Sequence, residues 1–376
     1  MLSKKSKNNN GITLVALVIS IIILLILATI SIQSLTNTGL FAKAQEAKEK
    51  TKNATENQAK ILNEYEDELN KYISGNVKNQ VKKIADNINK VLSTTDNTEL
   101  QDSYGNKIVV PAGFKIVSDS TINIDKGVVI EDATSAETAG SQFVWVPVGT
   151  IYTNSEHIDS NKKIITLGRY DFDEITGAEK IYVGDYVEED RGDTTVALKN
   201  YGNKIAQNIT DFKNSVTKNG GYYIGRYEAR KNSNGMTTEI ATDTVYYDIT
   251  QQEASEKSQN MYSSTEFTSD LINSYAWDTT IVFLKNCGTN NKYALQTCLN
   301  NSLLEKGTTN DIQCNIYDIA SNVSEWTTET TDNKDAPCVG RGGNHYNTTG
   351  IACSRGYNGV SDKGDVGGFR PIIYLK

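Results

Sequence analysis

The hydrophobic pattern of the chain changes character several times. From Gly11 to Ile32 it reads GITLVALVISIIILLILATISI, and no charged residue falls between Gly11 and Ala42. About 20 apolar residues in a row is the length of a helix that spans a bilayer core. The next stretch, AKAQEAKEKTKNATENQAKILNEYEDELNKYI (42–73), is rich in Ala, Glu, Lys and Gln, which favour helix. One helix is therefore expected from about Ile12 to Ile73, apolar first and charged after, closed by Gly75. QVKKIADNINKVLS (80–93) places Val81, Ile84, Ile88 and Val91 on one stripe and predicts a short amphipathic helix. From about Ile108 the period shortens. IVVPAGFKIV and GVVIED carry the β-branched runs of strands.

The later segments continue as strands. SQFVWVPVGT (141–150) is an apolar strand with Trp145, and GGYYIGRYEAR (220–230) alternates around Ile224 and Tyr227. VGRGGNHYN (339–347) and GGFRPIIYL (367–375) are glycine-rich segments entering strands. YDIASNVSEWT (317–327) sets Asp318 and Glu325 either side of a bend through Ala320–Asn322. In such a bend the carbonyls of Ser321 and Val323 can turn inward beside the two carboxylates, a set of hard oxygens that suits calcium. The alternative is a turn in which Asp318 caps backbone amides and Glu325 pairs with an arginine.

Composition narrows the functions. The 376 residues are 38 % hydrophobic and 22 % charged, enough to bury a core, and the formal net charge is −8. That charge argues against a nucleic-acid partner, which wants a basic face. The five cysteines, Cys287, Cys298, Cys314, Cys338 and Cys353, form no CxxC pair, and with two histidines in the chain a zinc site is not expected. Outside a cell one or two disulfides could form, and the sequence does not choose among fifteen two-bridge pairings. Arg191-Gly192-Asp193 lies in an acidic loop and is read as a chance tripeptide. No P-loop, no HExxH and no suggestive Ser-His-Asp setting occurs.

The N-terminus resembles the type IV prepilin family. The residues that carry the likeness are Lys4, Lys5 and Lys7, then Gly11-Ile12-Thr13-Leu14-Val15 and the long apolar run. The basic residues keep that end inside and send the remainder out. The resemblance covers about 60 residues and implies cleavage after Gly11 by a prepilin peptidase and methylation of Ile12. It departs from the family at Ala16, where the fifth mature residue is usually Glu. That departure points away from a major pilin and toward a minor or tip subunit.

The segment from 141 to 376 resembles the formylglycine-generating (sulfatase-modifying factor) family and the related C-type-lectin-like fold. Five stretches fall in the family's order: FVWVPVG, GGYYIGRYEA, DIASNVSEW, RGG and GGFRP. The resemblance implies calcium bound through Asp318, Ser321, Val323 and Glu325, although Ser321 stands where the family usually has Gly and Ser324 where it has Trp. It does not extend to catalysis. The copper-binding cysteine pair of the oxidase members is missing, because the stretch from Arg341 to Arg370 holds Cys353 alone, so no copper is expected. The fold also serves binding proteins, including variable proteins of diversity-generating retroelements, which contact ligand through the C-terminal segment. The matching candidates here are Asn344, His345, Tyr346, Asn347, Tyr357 and Asn358.

The expected fold is therefore α+β: a long N-terminal transmembrane, pilin-like helix followed by a C-type-lectin-like domain with irregular loops and short antiparallel strands. The expected divisions are a leader (1–11), a transmembrane and amphipathic helix (12–74), a linker with a short helix and a small β-rich region (75–140), and the sulfatase-modifying-factor-like domain (141–376). The expected function is surface display, membrane-anchored or in a pilus, with binding of an unknown protein or glycan as adhesin or variable recognition protein. Prepilin peptidase, other pilin subunits and the membrane are the expected partners. No catalytic residue is assigned. The alternatives are a membrane-anchored formylglycine-generating-type oxidase and a purely structural filament subunit.

Overall fold

The computed structural model describes residues 14–37, 43, 45, 48–54, 81–117, 123–190, 209–231, 236–237, 245–305, 307–347, 349–363 and 367–376. The chain divides into two compact units, Met1–Gln80 and Val81–Lys376. Gly11, Ile12 and most of the charged stretch 42–73 lie outside the described residues, as does Arg191-Gly192-Asp193.

In the first unit, helix α1 runs over Leu14–Asn37. The expected long transmembrane helix is corrected here: among the described residues no helix is long and apolar enough to cross a membrane. The α1 side chains that are described run over 17–30. The apolar ones, Leu17 to Ile30, are exposed within the unit.

The α+β expectation is corrected as well, since the second unit is mostly antiparallel sheet with few helices. Its principal strands are β1 (Phe114–Ile116), β2 (Val129–Asp132), β3 (Gln142–Pro147), β4 (Gly221–Gly225), β5 (Phe267–Leu271), β6 (Glu325–Thr330), β7 (Cys338–Arg341), β8 (Arg355–Asn358), β9 (Gly368–Phe369) and β10 (Pro371–Leu375). Among the described residues three α-helices join them: α2 (Ile209–Asn219), α3 (Gln251–Gln259) and α4 (Ser274–Cys287).

A six-stranded antiparallel sheet has the order β5-β10-β4-β3-β2-β1. The central strands β3 and β4 read FVWVP and GYYIG because both of their faces are covered, so alternation gives way to a continuous apolar run. Phe114, Phe143, Tyr262 and Phe267 meet edge to face with ring centroids 5.6–6.2 Å apart. Helix α2 buries Ile209, Phe212 and Val216, spaced for one helical face. Phe212 sets its ring against Tyr222 and Tyr374 of the sheet. Helix α4 starts where the Asn273 side chain accepts the Ala276 amide at 2.9 Å, and Tyr222 ties it to the sheet by donating to the Ala276 carbonyl at 2.6 Å. Helix α3 opens with a reciprocal capping box between Thr250 and Glu253.

The boundary expected at residue 141 cuts through this sheet, because β1 and β2 hydrogen-bond in series to β3. The short helix expected over 80–93 is a single 3₁₀ turn, Ala85–Asn87. Its backbone bonds sideways: Ile84 donates to the Gln101 carbonyl at 2.9 Å and Gln101 donates to that of Lys82 at 3.0 Å. Ile84 is fully buried while Val81 and Val91 face solvent, so the apolar stripe is not used as one face.

A second sheet has the order β8-β7-β6-β9, with β9 parallel to β6. Strand β6, EWTTET, is wholly buried although most of it is polar. Its Glu329 meets three guanidiniums, those of Arg169, Arg341 and Arg355. Asp278 of α4 binds Arg341 at 2.5 Å and Arg355 at 2.5 Å, and accepts the Tyr170 amide at 2.8 Å. Burial alone would push the Glu329 carboxyl up, but the adjacent arginines hold it below the usual carboxylate range. Asp278→Ala takes from buried Arg341 and Arg355 one of the two acids they share, leaving three guanidiniums on Glu329, and is expected to lower stability by about 3–5 kcal/mol. Denaturant unfolding measures this, and a loss below about 1 kcal/mol, the size of an ordinary substitution, would contradict it.

Candidate functional site

The second sheet positions the candidate ligand residues. Arg341 ends β7, and Arg355 begins β8 opposite it in register. The loop between them opens with Gly342 and Gly343, which lie against the backbone of residues 319–320. A Cβ at Gly342, whose φ is +83°, would stand 2.6 Å from the Ile319 carbonyl oxygen, and one at Gly343 would stand 2.3 Å from that of Ala320. Glycine is required at both places by this close approach.

Four of the six expected ligand residues share one concavity. Asn344, Asn347, Tyr357 and Asn358 line a hollow of about 310 Å³ together with Ser324 and Arg355. Asn344 also organises the loop: its side chain donates to Ser324 Oγ at 3.0 Å and accepts the amides of Tyr346 and Asn347 at 3.0 and 2.8 Å. The other two lie elsewhere. His345 is buried, and its Nδ1 donates to the Asn322 carbonyl at 2.7 Å, so that nitrogen carries a proton. Tyr346 is exposed beside the imidazole, with ring centroids 4.1 Å apart.

Tyr357 also borders a second hollow of about 700 Å³, walled by Tyr182, Tyr186, Asp185, Thr331, Asp332 and Asn333. Tyr182 is fixed from beneath. The guanidinium carbons of Arg355 and Arg169 lie 4.2 and 4.6 Å from its ring centroid. Its hydroxyl accepts the Tyr186 amide at 3.1 Å. Sequence reasoning missed this hollow. The available signal was the pair Tyr182 and Tyr186 in the acidic stretch IYVGDYVEED.

The expected calcium residues surround a buried arginine. Arg370 grips Glu325 through Nε, at 3.1 and 3.0 Å from the two carboxylate oxygens, and through Nη2 at 2.6 Å. The same guanidinium donates to the carbonyls of Gly225 at 2.8 Å and Tyr317 at 2.9 Å. Asp318 accepts the Thr309 hydroxyl and the Gly307 amide. Ser321 Oγ accepts the Leu299 amide at 3.1 Å, and the Val323 amide donates to Glu228 at 3.1 Å. Arg370 thus occupies one side of Glu325, while Asp318 is bonded to Thr309 and Gly307. Among the described residues no group of three or more His, Cys, Asp or Glu side chains is arranged to hold a metal.

The same region contains more acid than base. Glu228, Asp318 and Glu325 are buried with Arg370. Burial first, then the charges of Asp318 and Glu325, push the Glu228 carboxyl well up. Burial and the nearby Asp311 push Asp318 up to about 7, against the Thr309 hydrogen bond.

No family model matches the chain, and no curated protein matches it. Among solved structures it is similar to Treponema denticola variable protein 1, at 13 % identity over 73 % of this chain and 98 % of that one, with a TM-score of 0.24. A likeness at that TM-score carries no argument about fold or function.

A carboxyl whose pKa is raised on folding keeps a proton that the unfolded chain has already released. Its contribution is present at low pH and is lost as pH rises through the folded value. For Asp318 the window runs from its ordinary 3.8 up to about 7. Asparagine can accept the Gly307 amide and donate to the Thr309 hydroxyl, so Asp318→Asn should keep the contacts and drop the titration. The melting temperature of Asp318→Asn relative to the native protein is expected to climb from pH 5 to pH 7. A constant or falling difference would contradict the assignment.

Proposed function

We propose that this protein is a recognition protein displayed outside the cell, which binds a protein or glycan ligand on the face around Tyr357. The observation that carries the reading is that Asn344, Asn347, Tyr357 and Asn358, from two separate stretches of chain, line one hollow. Tyr357 is well exposed at the border with the larger hollow. Both hollows fall within the several-hundred-Å³ range of small-ligand sites. Tyrosine gives contact area at little entropic cost, and asparagine gives adaptable hydrogen bonds. The support beneath is rigid: an Arg–carboxylate network under Tyr182 and a glycine pair pressed against the bend at 319–320.

The reading takes the prepilin-type leader as the export signal, with prepilin peptidase acting after Gly11 and Ile12 becoming the methylated N-terminus. A subunit role in a filament is compatible, and the exposed apolar side chains of α1 support it, since such a surface calls for a cover. An oxidase reading has less support. Burial pushes the Cys353 thiol up, away from the thiolate that would bind copper.

The test is a screen of the exported full chain against glycan and surface-protein arrays. Binding is expected, and Tyr357→Ala with Asn358→Ala is expected to weaken it about tenfold or more without lowering the melting temperature, as for a central contact pair. The mature chain from the same cells is expected to begin at methylated Ile12. An absence of ligands, or binding indifferent to both substitutions, would overturn the recognition reading. An intact Met1 would overturn the export route.

A further inference from the structure

We propose that the hollow walled by Tyr182, Tyr186 and Tyr357 takes an alkylammonium group. The inference rests on the recognition reading and names the chemistry of one part of its ligand. The hollow, about 700 Å³, has three tyrosine rings in its wall and two carboxylates, Asp185 and Asp332, at its rim. Among the described residues no lysine or arginine lines it. Among the described residues neither carboxylate has a hydrogen-bond or ion-pair partner, so both remain available to a ligand.

The charges beneath the wall do not oppose a cation. Arg169 and Arg355 lie against Tyr182, but both are bound to Glu329, and Arg355 also to Asp278. With Arg341 they face Glu329, Asp278 and Asp171, the last 3.6 Å from Arg355, so three positive charges meet three negative ones, and the carboxylates left at the opening are those of Asp185 and Asp332. Tyr182 and Tyr186 have parallel rings, 1° apart in plane with centroids separated by 6.4 Å. Tyrosine faces attract cations through the ring quadrupole, and alkylated ammonium groups lose little hydration on entering such a cage. A carboxylate or phosphate ligand would meet two like charges at the rim. A neutral sugar would leave the carboxylates' charge unused.

Two sources share this chemistry: a quaternary ammonium headgroup and a lysine side chain. Calorimetric titration of the full chain with tetramethylammonium chloride and with n-butylammonium chloride separates them, because the first mimics the headgroup and the second the lysine. Saturable binding of at least one is expected, with Kd of about millimolar order for so small a probe. The neutral isostere tert-butanol, methyl α-glucoside and sodium acetate are expected to give none. Asp185→Asn together with Asp332→Asn should weaken the ammonium about fivefold or more, and Tyr186→Leu likewise, while Tyr186→Phe keeps the ring and retains binding.

No saturable ammonium binding, equal binding of tert-butanol, or binding of the glucoside in its place would overturn the inference. So would loss of binding in Tyr186→Phe to the level of Tyr186→Leu when both melt at the native temperature. If ammonium fails but array binding persists and depends on Asn358, this inference falls and the recognition reading stands. If array binding fails as well, both fall.

Discussion

The second sheet depends on one interaction: two buried carboxylates, Asp278 and Glu329, held by Arg169, Arg341 and Arg355. A strand such as EWTTET could not be buried without it. Isolated charges in a protein interior cost several kcal/mol each, and the cost is offset only where geometry and hydrogen bonds are nearly complete. Here Arg341 and Arg355 share both acids, and their remaining donors reach the Ser354 and Tyr170 carbonyls. The network joins helix α4, strands β6, β7 and β8, and the segment carrying Tyr170. The residues proposed for recognition on β8 and its preceding loop therefore stand on a fixed base, which is what low-entropy contact by tyrosine requires.

A second buried ionic centre lies around Arg370 and is balanced differently. The first centre has arginines enough to keep Glu329 charged. The second has one arginine for Glu228, Asp318 and Glu325, and it responds by keeping protons. The two centres are linked through backbone rather than charge: Gly342 and Gly343, next to Arg341, pack on the carbonyls of residues 319–320, next to Asp318.

What the sequence disclosed follows the range of the interactions. FVWVP, GYYIG and PIIYL declare themselves as covered strands because burial on both faces leaves a continuous apolar run. The pairing of Glu325 with an arginine, part of one of the two readings open to the bend, is present, with Arg370 as the partner. Asn344, Asn347, Tyr357 and Asn358 were legible from residue type and do meet. His345 was not, because its role is set by a carbonyl 23 positions away, that of Asn322. The segment 80–93 carries a helical stripe, yet bonding to Gln101 overrides it. Asp278 and Arg169 look ordinary in sequence and acquire meaning only when α4 packs beneath β6 and β7. The apolar N-terminal run suggested a spanning helix, and among the described residues no helix is long and apolar enough to be one.

Native-state hydrogen exchange tests the central claim most directly. If the Asp278–Glu329 network is the base of the recognition face, the amides of β6 and β7 that are bonded in the sheet exchange only through global unfolding, and do so together. In Asp278→Ala these same amides, and those of Arg355–Asn358, should open locally while the six-stranded sheet stays protected. Fast local exchange of β7 in the native protein, or an Asp278→Ala protein with unchanged protection along β6 to β8, would contradict it.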